Sequence, residues 1–449
     1  MDFYTQTIAS LYKDHVESLS QRYAQAMEDS SLTGVLIDAG KHRTAFLDDQ
    51  AYPFKVNPHF KAWLPLLDNE QSMLLVRPGE RAKLFYYQAD DYWYKPAADA
   101  DGFWTEQFDI HPVASPQEAH NLLGPTAGLA FVGENSELAQ EWQLDAINPD
   151  SLLSALHFER IKKTAYEKRC ILEANRIGVQ GHQAAQQAFQ RGESEFEIQH
   201  AYLAVTRQRE QENPYTPIVA INANSAVLHY QHYERSRLPE QELHSMLIDA
   251  GADYNGYAAD ITRSYASRPG LFADLIEALN GEQLELIDAI QCNLPFLELH
   301  KQMQLRIATL LHEFKLTRLQ PQDMLAENLT FTFMPHGLGH YLGLQTHDVG
   351  GYLQDRQGTV EPPPQAHPTL RITRQIENDQ VFTIEPGIYF IPSLLKDLRE
   401  SGHGREFDWD LIESLLPQGG IRIEDNICID AGKTHNLTRT CLAELDSSS

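Results

Sequence analysis

The segment LIDAGADYNGYAADITRSY, residues 247–265, admits few folds. Asn255-Gly256 sits between two half-apolar stretches, the strongest short-range signal for a two-residue hairpin turn. With those residues as the turn, Asp249 faces Thr262 and Asp260 faces Gly251. Side chains alternate along a strand, so both aspartates leave the same sheet face as diagonal neighbours, about 7–8 Å apart. One or two cations span such a gap. A bulge near Gly251 or Gly256 would shift the register and separate the pair. Aspartates beside a turn also serve as turn-formers or solvated charges, so the pair alone leaves both readings open.

Two later stretches add carboxylates in the same kind of setting. In QVFTIEPGIYF, Val381, Thr383 and Glu385 share one face before Pro386, which suits a strand that stops there. In GGIRIEDNICID, Ile421 and Ile423 point one way while Arg422, Glu424 and Asn426 point the other. For either glutamate alone, a salt bridge to a nearby Lys or Arg accounts for it as well. Four carboxylates converging without a cation would repel and raise one another's pKa, whereas two divalent ions cancel four negative charges.

PHGLGHYLGLQTHDVGG, residues 335–351, carries His336, His340 and His347. Gly337 and Gly339 between the first two argue for a loop with close backbone approach rather than a helix, and no Glu follows His336 as in the helical zinc protease motif. Asp249, Asp260, His340, Glu385 and Glu424 together form a hard ligand set. Carboxylate-rich surroundings favour Mn²⁺ or Mg²⁺, and the imidazole admits Co²⁺ and Zn²⁺.

These motifs, with FLDDQAYPFKVNPHFKAWLP and NPYTPIVAINANSAVLHY, resemble the bacterial prolidases, Xaa-Pro dipeptidases of the pita-bread metallopeptidase family, and within them the organophosphorus acid anhydrolase branch. The resemblance spans nearly the whole chain. It implies an α+β fold: a C-terminal pita-bread (creatinase/aminopeptidase-like) catalytic domain, residues 159–449, preceded by a smaller α/β N-terminal domain, residues 1–158. It implies that Asp249, Asp260, His340, Glu385 and Glu424 hold two divalent metal ions, manganese foremost, with Asp260 and Glu424 bridging. His229, His336 and His347 match positions lining the substrate pocket, and Arg422 matches a residue beside ligands and substrate. Arg371 matches the arginine that receives a dipeptide's carboxylate, a task suited to its planar fork. Tyr215, Leu228, Thr346 and Leu370 correspond to pocket walls. Asp49 corresponds to a residue reaching the pocket from a partner subunit, which implies a homodimer or a dimer of dimers.

Two positions depart from the family pattern. Phe296 stands where a tyrosine precedes the helix beginning around Glu298, and Thr346 replaces a common aliphatic residue. The implied activity is release of proline from Xaa-Pro dipeptides, with Glu385 moving a proton to the leaving nitrogen and His336 or His347 steadying the tetrahedral oxyanion. Organophosphorus triesters and fluoridates are the implied side substrates. A same-fold hydrolase of another small amide and a non-catalytic binding protein are the alternatives, the second disfavoured by the intact ligand set.

Composition sets bounds around this reading. The 449 residues suffice for two domains, and 42% hydrophobic with 22% charged residues is ordinary for a globular protein. A net charge of −27 argues against nucleic acid and anionic membrane as partners. Cys170, Cys292, Cys428 and Cys441 form no CxxC pair, so a reducing cytoplasm is expected, and the start Met1-Asp2-Phe3 has no secretory pattern. Periodicity predicts a helix over 11–27 and another over 166–190, buried strands at GVLIDAG, SMLLVRP and GLAFVGE, and a capping box at Ser194–Glu197. The tail 446–449 is expected to be disordered.

Overall fold

The short apolar runs of the first third form one sheet in the computed structural model, which describes residues 3–448. Gly34–Asp38 pairs antiparallel with Met73–Val76 on one side and parallel with Leu129–Val132 on the other. Lys83–Tyr87, Asp109–Val113 and Ala146–Ile147 complete a six-stranded mixed sheet. The three runs named from the sequence are wholly buried, which is why they read as continuous rather than alternating hydrophobicity. The amphipathic helix Ile8–Asp29 starts on Thr7, whose hydroxyl accepts from Ser10 N–H, and it buries Leu11, Val16, Leu19, Tyr23 and Met27.

The chain divides into two units. One comprises Met1–Cys170, Tyr254–Tyr257 and Leu353–Val360; the other comprises Ile171–Asp253, Ala258–Tyr352 and Glu361–Ser449. The predicted helix of 166–190 is Ala165–Gln190, and the next, Glu195–Thr206, begins with both reciprocal bonds of the Ser194/Glu197 capping box. Such a cap stabilises a helix start by about 1 kcal/mol.

Sheet structure in the second unit is antiparallel and interrupted. Ile218–Ile221, Ser245–Asp249 and Thr262–Ala266 form one ladder. Val381–Ile384, Asp425–Asp430 and Lys433–Asn436 form another, and Gly387–Tyr389 pairs with Gly420–Arg422. A bridge between Thr262 and Glu424 joins the first ladder to the later strands. The helices Leu271–Asp288 and Phe296–Glu313 pack against each other.

The hairpin register follows the sequence reading without a bulge. Thr262 pairs with Asp249, and the N–H groups of Ala250 and Ala259 reach Ile261 O and Ala252 O. Asn255 and Gly256 both take positive φ, 52° and 88°, as the two-residue turn requires. Contrary to expectation, the helix Leu437–Ser448 continues through most of the tail; Ser449, like Met1 and Asp2, lies outside the described residues. Among the described residues no helix is long and apolar enough to cross a membrane.

Candidate metal centre

Three of the acidic side chains stand where a strand stops. Ser245–Asp249 ends on Asp249. Glu385 and Pro386 separate Val381–Ile384 from Gly387–Tyr389, since proline donates nothing to a ladder. Glu424 lies in the gap between Gly420–Arg422 and Asp425–Asp430. At these interruptions the backbone takes new partners: Glu385 N–H donates to Leu338 O at 2.8 Å, and Glu424 N–H to Thr262 O at 3.0 Å. Asp260, just before Thr262–Ala266, is held from both sides by Asn426, whose amide oxygen accepts from Asp260 N–H at 3.0 Å and whose amide nitrogen donates to Asp260 O.

His340 arrives on a loop, as the glycines require. Thr383 N–H donates to His340 O at 2.9 Å. A Cβ on Gly339 would stand 1.9 Å from Thr383 O, so any other residue would force the two backbones apart. His340 Nε2 lies 3.3 Å from Asp260 Oδ2, 3.7 Å from Glu385 Oε1 and 3.8 Å from Glu424 Oε1. Its Nδ1 is 3.0 Å from Tyr341 O; a carbonyl only accepts, so Nδ1 carries the proton and Nε2 presents a lone pair to the carboxylates. Burial lowers the His340 pKa, against the opposing pull of Glu385, and keeps the ring neutral.

Donor atoms of Asp260, His340 and Glu424 lie within 4.8 Å of one another, all in buried residues. The Tyr215 hydroxyl is 2.7 Å from Asp249 Oδ1 and 2.6 Å from Asp260 Oδ1. Its single proton cannot satisfy both. Arg422 Nη2 donates to Asp249 Oδ2 at 2.7 Å. Thr262 Oγ1 donates to Glu424 Oε2 at 2.7 Å, but Glu424 Oε1 is buried with no hydrogen-bond partner.

Burial, then the Asp249 charge, pushes Asp260 up to about 8. Burial raises Glu424 and Glu385 well above the carboxylate range, followed by the charge of Asp260 for Glu424 and of Glu424 for Glu385. These surroundings favour the neutral carboxyl over the bare carboxylate, and a divalent cation would relieve the same repulsion. Oxygen donors, one imidazole lone pair and an orphaned carboxylate oxygen fit such an ion.

The centre lies in a cavity of about 410 Å³, lined also by Leu228, His229, His336, His347, Arg371 and Arg422. His336 Nδ1 donates to Gly337 O at 2.8 Å, so its Nε2, 3.0 Å from the Tyr389 hydroxyl, is the acceptor of that bond. Burial, then the Arg422 charge, lowers His336 to about 4. The His347 ring meets His340 edge-on at 4.4 Å.

Other expected pocket residues lie elsewhere. Phe296 is buried as the first residue of Phe296–Glu313, edge-on to Phe382, because an apolar ring at that helix start fills core rather than cavity. Leu370 is wholly buried, and Thr346 has a buried hydroxyl without a partner; neither lines the cavity. Tyr215 reaches the aspartates instead of serving as a wall. Asp49 belongs to the first unit, on an exposed loop with Phe46 87% and Leu47 90% accessible.

Sequence reasoning missed Tyr389, which takes Arg422 Nη1 at 2.7 Å and holds His336. It named Thr262 and Asn426 only by register and face, and missed the bonds they make to Glu424 and Asp260. The alternation GIYF gave Tyr389 the look of a core residue, and only its hydroxyl marks it out.

Residues 10–158 match the family described as Xaa-Pro dipeptidase, N-terminal domain, and residues 169–431 match metallopeptidase family M24. The chain is 46% identical to a Xaa-Pro dipeptidase of Pseudoalteromonas haloplanktis, covering 97% of this chain and 99% of that protein. It is also 46% identical to one from Aeromonas hydrophila, over 96% and 98% of the two chains. Solved structures share the fold: zinc-substituted Escherichia coli aminopeptidase P in complex with product has a TM-score of 0.72 at 20% identity, covering 98% of this chain and 99% of that one. Proline aminopeptidase P II from Yersinia pestis has a TM-score of 0.70 at 21% identity, covering 97% of each chain. With more than half of its length matched by the catalytic family and relatives similar from end to end, this chain belongs to metallopeptidase family M24, the pita-bread metallopeptidases.

Proposed function

We propose that the protein is a dinuclear metal hydrolase that releases proline from Xaa-Pro dipeptides. The observation that carries this reading is the buried meeting of Asp260, His340 and Glu424, with Glu424 Oε1 left unpartnered beside an unprotonated imidazole nitrogen. Asp249, Asp260, His340, Glu385 and Glu424 would hold two divalent ions, which when bound acidify a water and polarise the scissile carbonyl. Manganese is the preferred ion, with cobalt, magnesium and zinc as alternatives.

Glu385 is the group that passes a proton to the leaving nitrogen; it lines the cavity and its environment favours the protonated form. Both nitrogens of His336 are engaged, so His347 meets the developing oxyanion and His336 orders the wall through Tyr389 and Arg422. Arg422 is committed to Asp249 and Tyr389. Arg371 forms no ion pair among the described residues and lines the cavity, which supports it as the receiver of the substrate carboxylate. His229 and Leu228 would face the Xaa side chain.

Residues 1–158 and 159–449 act in this reading as the dimer-forming and catalytic domains. The exposed Phe46 and Leu47 beside Asp49 support a homodimer, or a dimer of dimers, in which that loop is covered. The net charge of −27 supports a protein with neither nucleic acid nor anionic membrane as partner, and four cysteines without a CxxC pair support a cytoplasmic one. Phosphotriester and phosphofluoridate hydrolysis is a side activity of the same ions.

The test is hydrolysis of Leu-Pro, Ala-Pro, Leu-Leu, a tripeptide and a phosphofluoridate by metal-stripped protein, with and without Mn²⁺. Manganese-dependent release of proline from the two Xaa-Pro dipeptides is the expected result. No dipeptide turnover with any divalent ion would overturn the assignment in favour of another small amide.

A further inference from the structure

Gln283 lies on Leu271–Asp288 and is wholly buried, an expensive place for an amide unless every polar atom is matched. Its Nε2 donates to Ile384 O at 2.8 Å and to Ile423 O at 3.0 Å. Its Oε1 accepts from Arg439 Nη2 at 3.1 Å. Carbonyls only accept and guanidinium only donates, so this orientation of the amide is the one the surroundings permit.

The two carbonyls are those of the residues immediately before Glu385 and Glu424. Each belongs to the planar peptide whose N–H is that of the glutamate. The Ile384–Glu385 peptide is therefore held on one edge by Gln283 and on the other by Leu338 O; the Ile423–Glu424 peptide is held by Gln283 and Thr262 O. Both glutamates sit at ladder interruptions, where a loop carbonyl, Leu338 O, and the first residue of Thr262–Ala266 take their N–H groups. A single amide nitrogen thus ties together the two peptide planes that aim the glutamate side chains.

The anchor behind Gln283 is itself fixed. Arg439 Nε donates to Asp425 Oδ2 at 2.7 Å, and Arg263 Nη2 donates to Asp425 Oδ1 at 2.6 Å. Asp425 follows Glu424 directly and is fully buried. Arg263 Nη1 also donates to Glu424 O at 2.8 Å. None of Gln283, Arg439, Arg263 and Asp425 lines the cavity.

We propose that Gln283 is a positioning residue that sets the separation and aim of Glu385 and Glu424, and so tunes the affinity of the metal pair. The inference rests on the dinuclear reading above. Losing support behind a ligand costs about 10–100-fold in metal affinity. Gln283→Met keeps the size and removes both donors. Expected is a tenfold or greater weakening of Mn²⁺ binding, read by calorimetry and Mn²⁺ EPR without substrate, and a fall in kcat with KM for Ala-Pro within twofold.

Leu275→Ala, on the same helix and equally buried, serves as the comparison: it should lower Tm while leaving Mn²⁺ affinity within twofold. If Gln283→Met gives no folded protein, Arg439→Lys removes the fork to Gln283 and should weaken Mn²⁺ at least threefold. Unchanged Mn²⁺ affinity in the variant that folds, or an equal loss in Leu275→Ala, overturns the positioning role. A wild-type protein that binds no Mn²⁺ removes the functional reading and this inference together; a wild type that binds and cleaves, with variants to match, removes this inference alone.

Discussion

Replacing Glu424 by glutamine should make the ion-free protein more stable and the ion-loaded protein less so. The fold keeps Glu424 buried and raises its pKa well above the ordinary 4.5, by burial first and then by Asp260. In the unfolded chain the carboxyl ionises near 4.5, so the folded state is increasingly penalised as pH rises past that value, until pH passes the folded one. Holding the group protonated, or ionised and buried, therefore costs stability at neutral pH that is absent below about pH 4. Glutamine has nothing to ionise and can still accept from Thr262 Oγ1. Its new N–H₂ at the orphaned position offsets about 1–3 kcal/mol where it finds no acceptor. The substitution should therefore raise Tm of the ion-free protein, each 1 kcal/mol gained being worth about 2 °C for a unit of this size. Calorimetry of chelator-treated protein should show that rise at pH 7.5 and none at pH 4. With Mn²⁺ at 100 times its Kd the wild type gains about 2.7 kcal/mol, which the variant lacks, so the variant's advantage in Tm shrinks by that amount. An ion-free variant melting below wild type at pH 7.5, or one gaining as much from Mn²⁺, refutes the account of the site.

Arg371→Ala should raise KM for Ala-Pro about tenfold, the worth of a charge-assisted bond, while a C-terminally amidated analogue keeps its lower rate unchanged; steady-state kinetics on both substrates checks it. Tyr389→Phe leaves His336 Nε2 and one Arg422 N–H without a partner, a cost of about 1–3 kcal/mol visible in chemical denaturation, with kcat falling more than KM changes.

The centre was legible where local rules were strict. Asn255-Gly256 dictates a turn, a turn dictates register, and register put Asp249 and Asp260 on one face. Pro386 signalled the interruption that displays Glu385, and Gly337 and Gly339 signalled the close loop of His340. The parts played by Tyr389, Thr262 and Gln283 escaped because they act on residues far away in sequence through a hydroxyl or an amide, and local patterning has no term for such partners. Phe296, Leu370 and Thr346 were expected in the pocket by family position, whereas none of the three lines the cavity. The tail was expected to be disordered, yet the helix Leu437–Ser448 runs through most of it.

The interrupted ladders also bear on how the chain acquires its metal. Thr262 meets Glu424 across 162 residues, and His340 meets Thr383 across 43. No pair of donor-bearing segments except the hairpin is local, so loop closure must be nearly complete before the donors converge. During synthesis, a ribosome-bound chain lacking Glu424 would present an unfinished acidic hollow with little hold on a divalent ion. If the centre binds its ions as proposed, metal capture would mark the end of folding, and pulse-labelled refolding should show ion uptake trailing the burial of the hairpin.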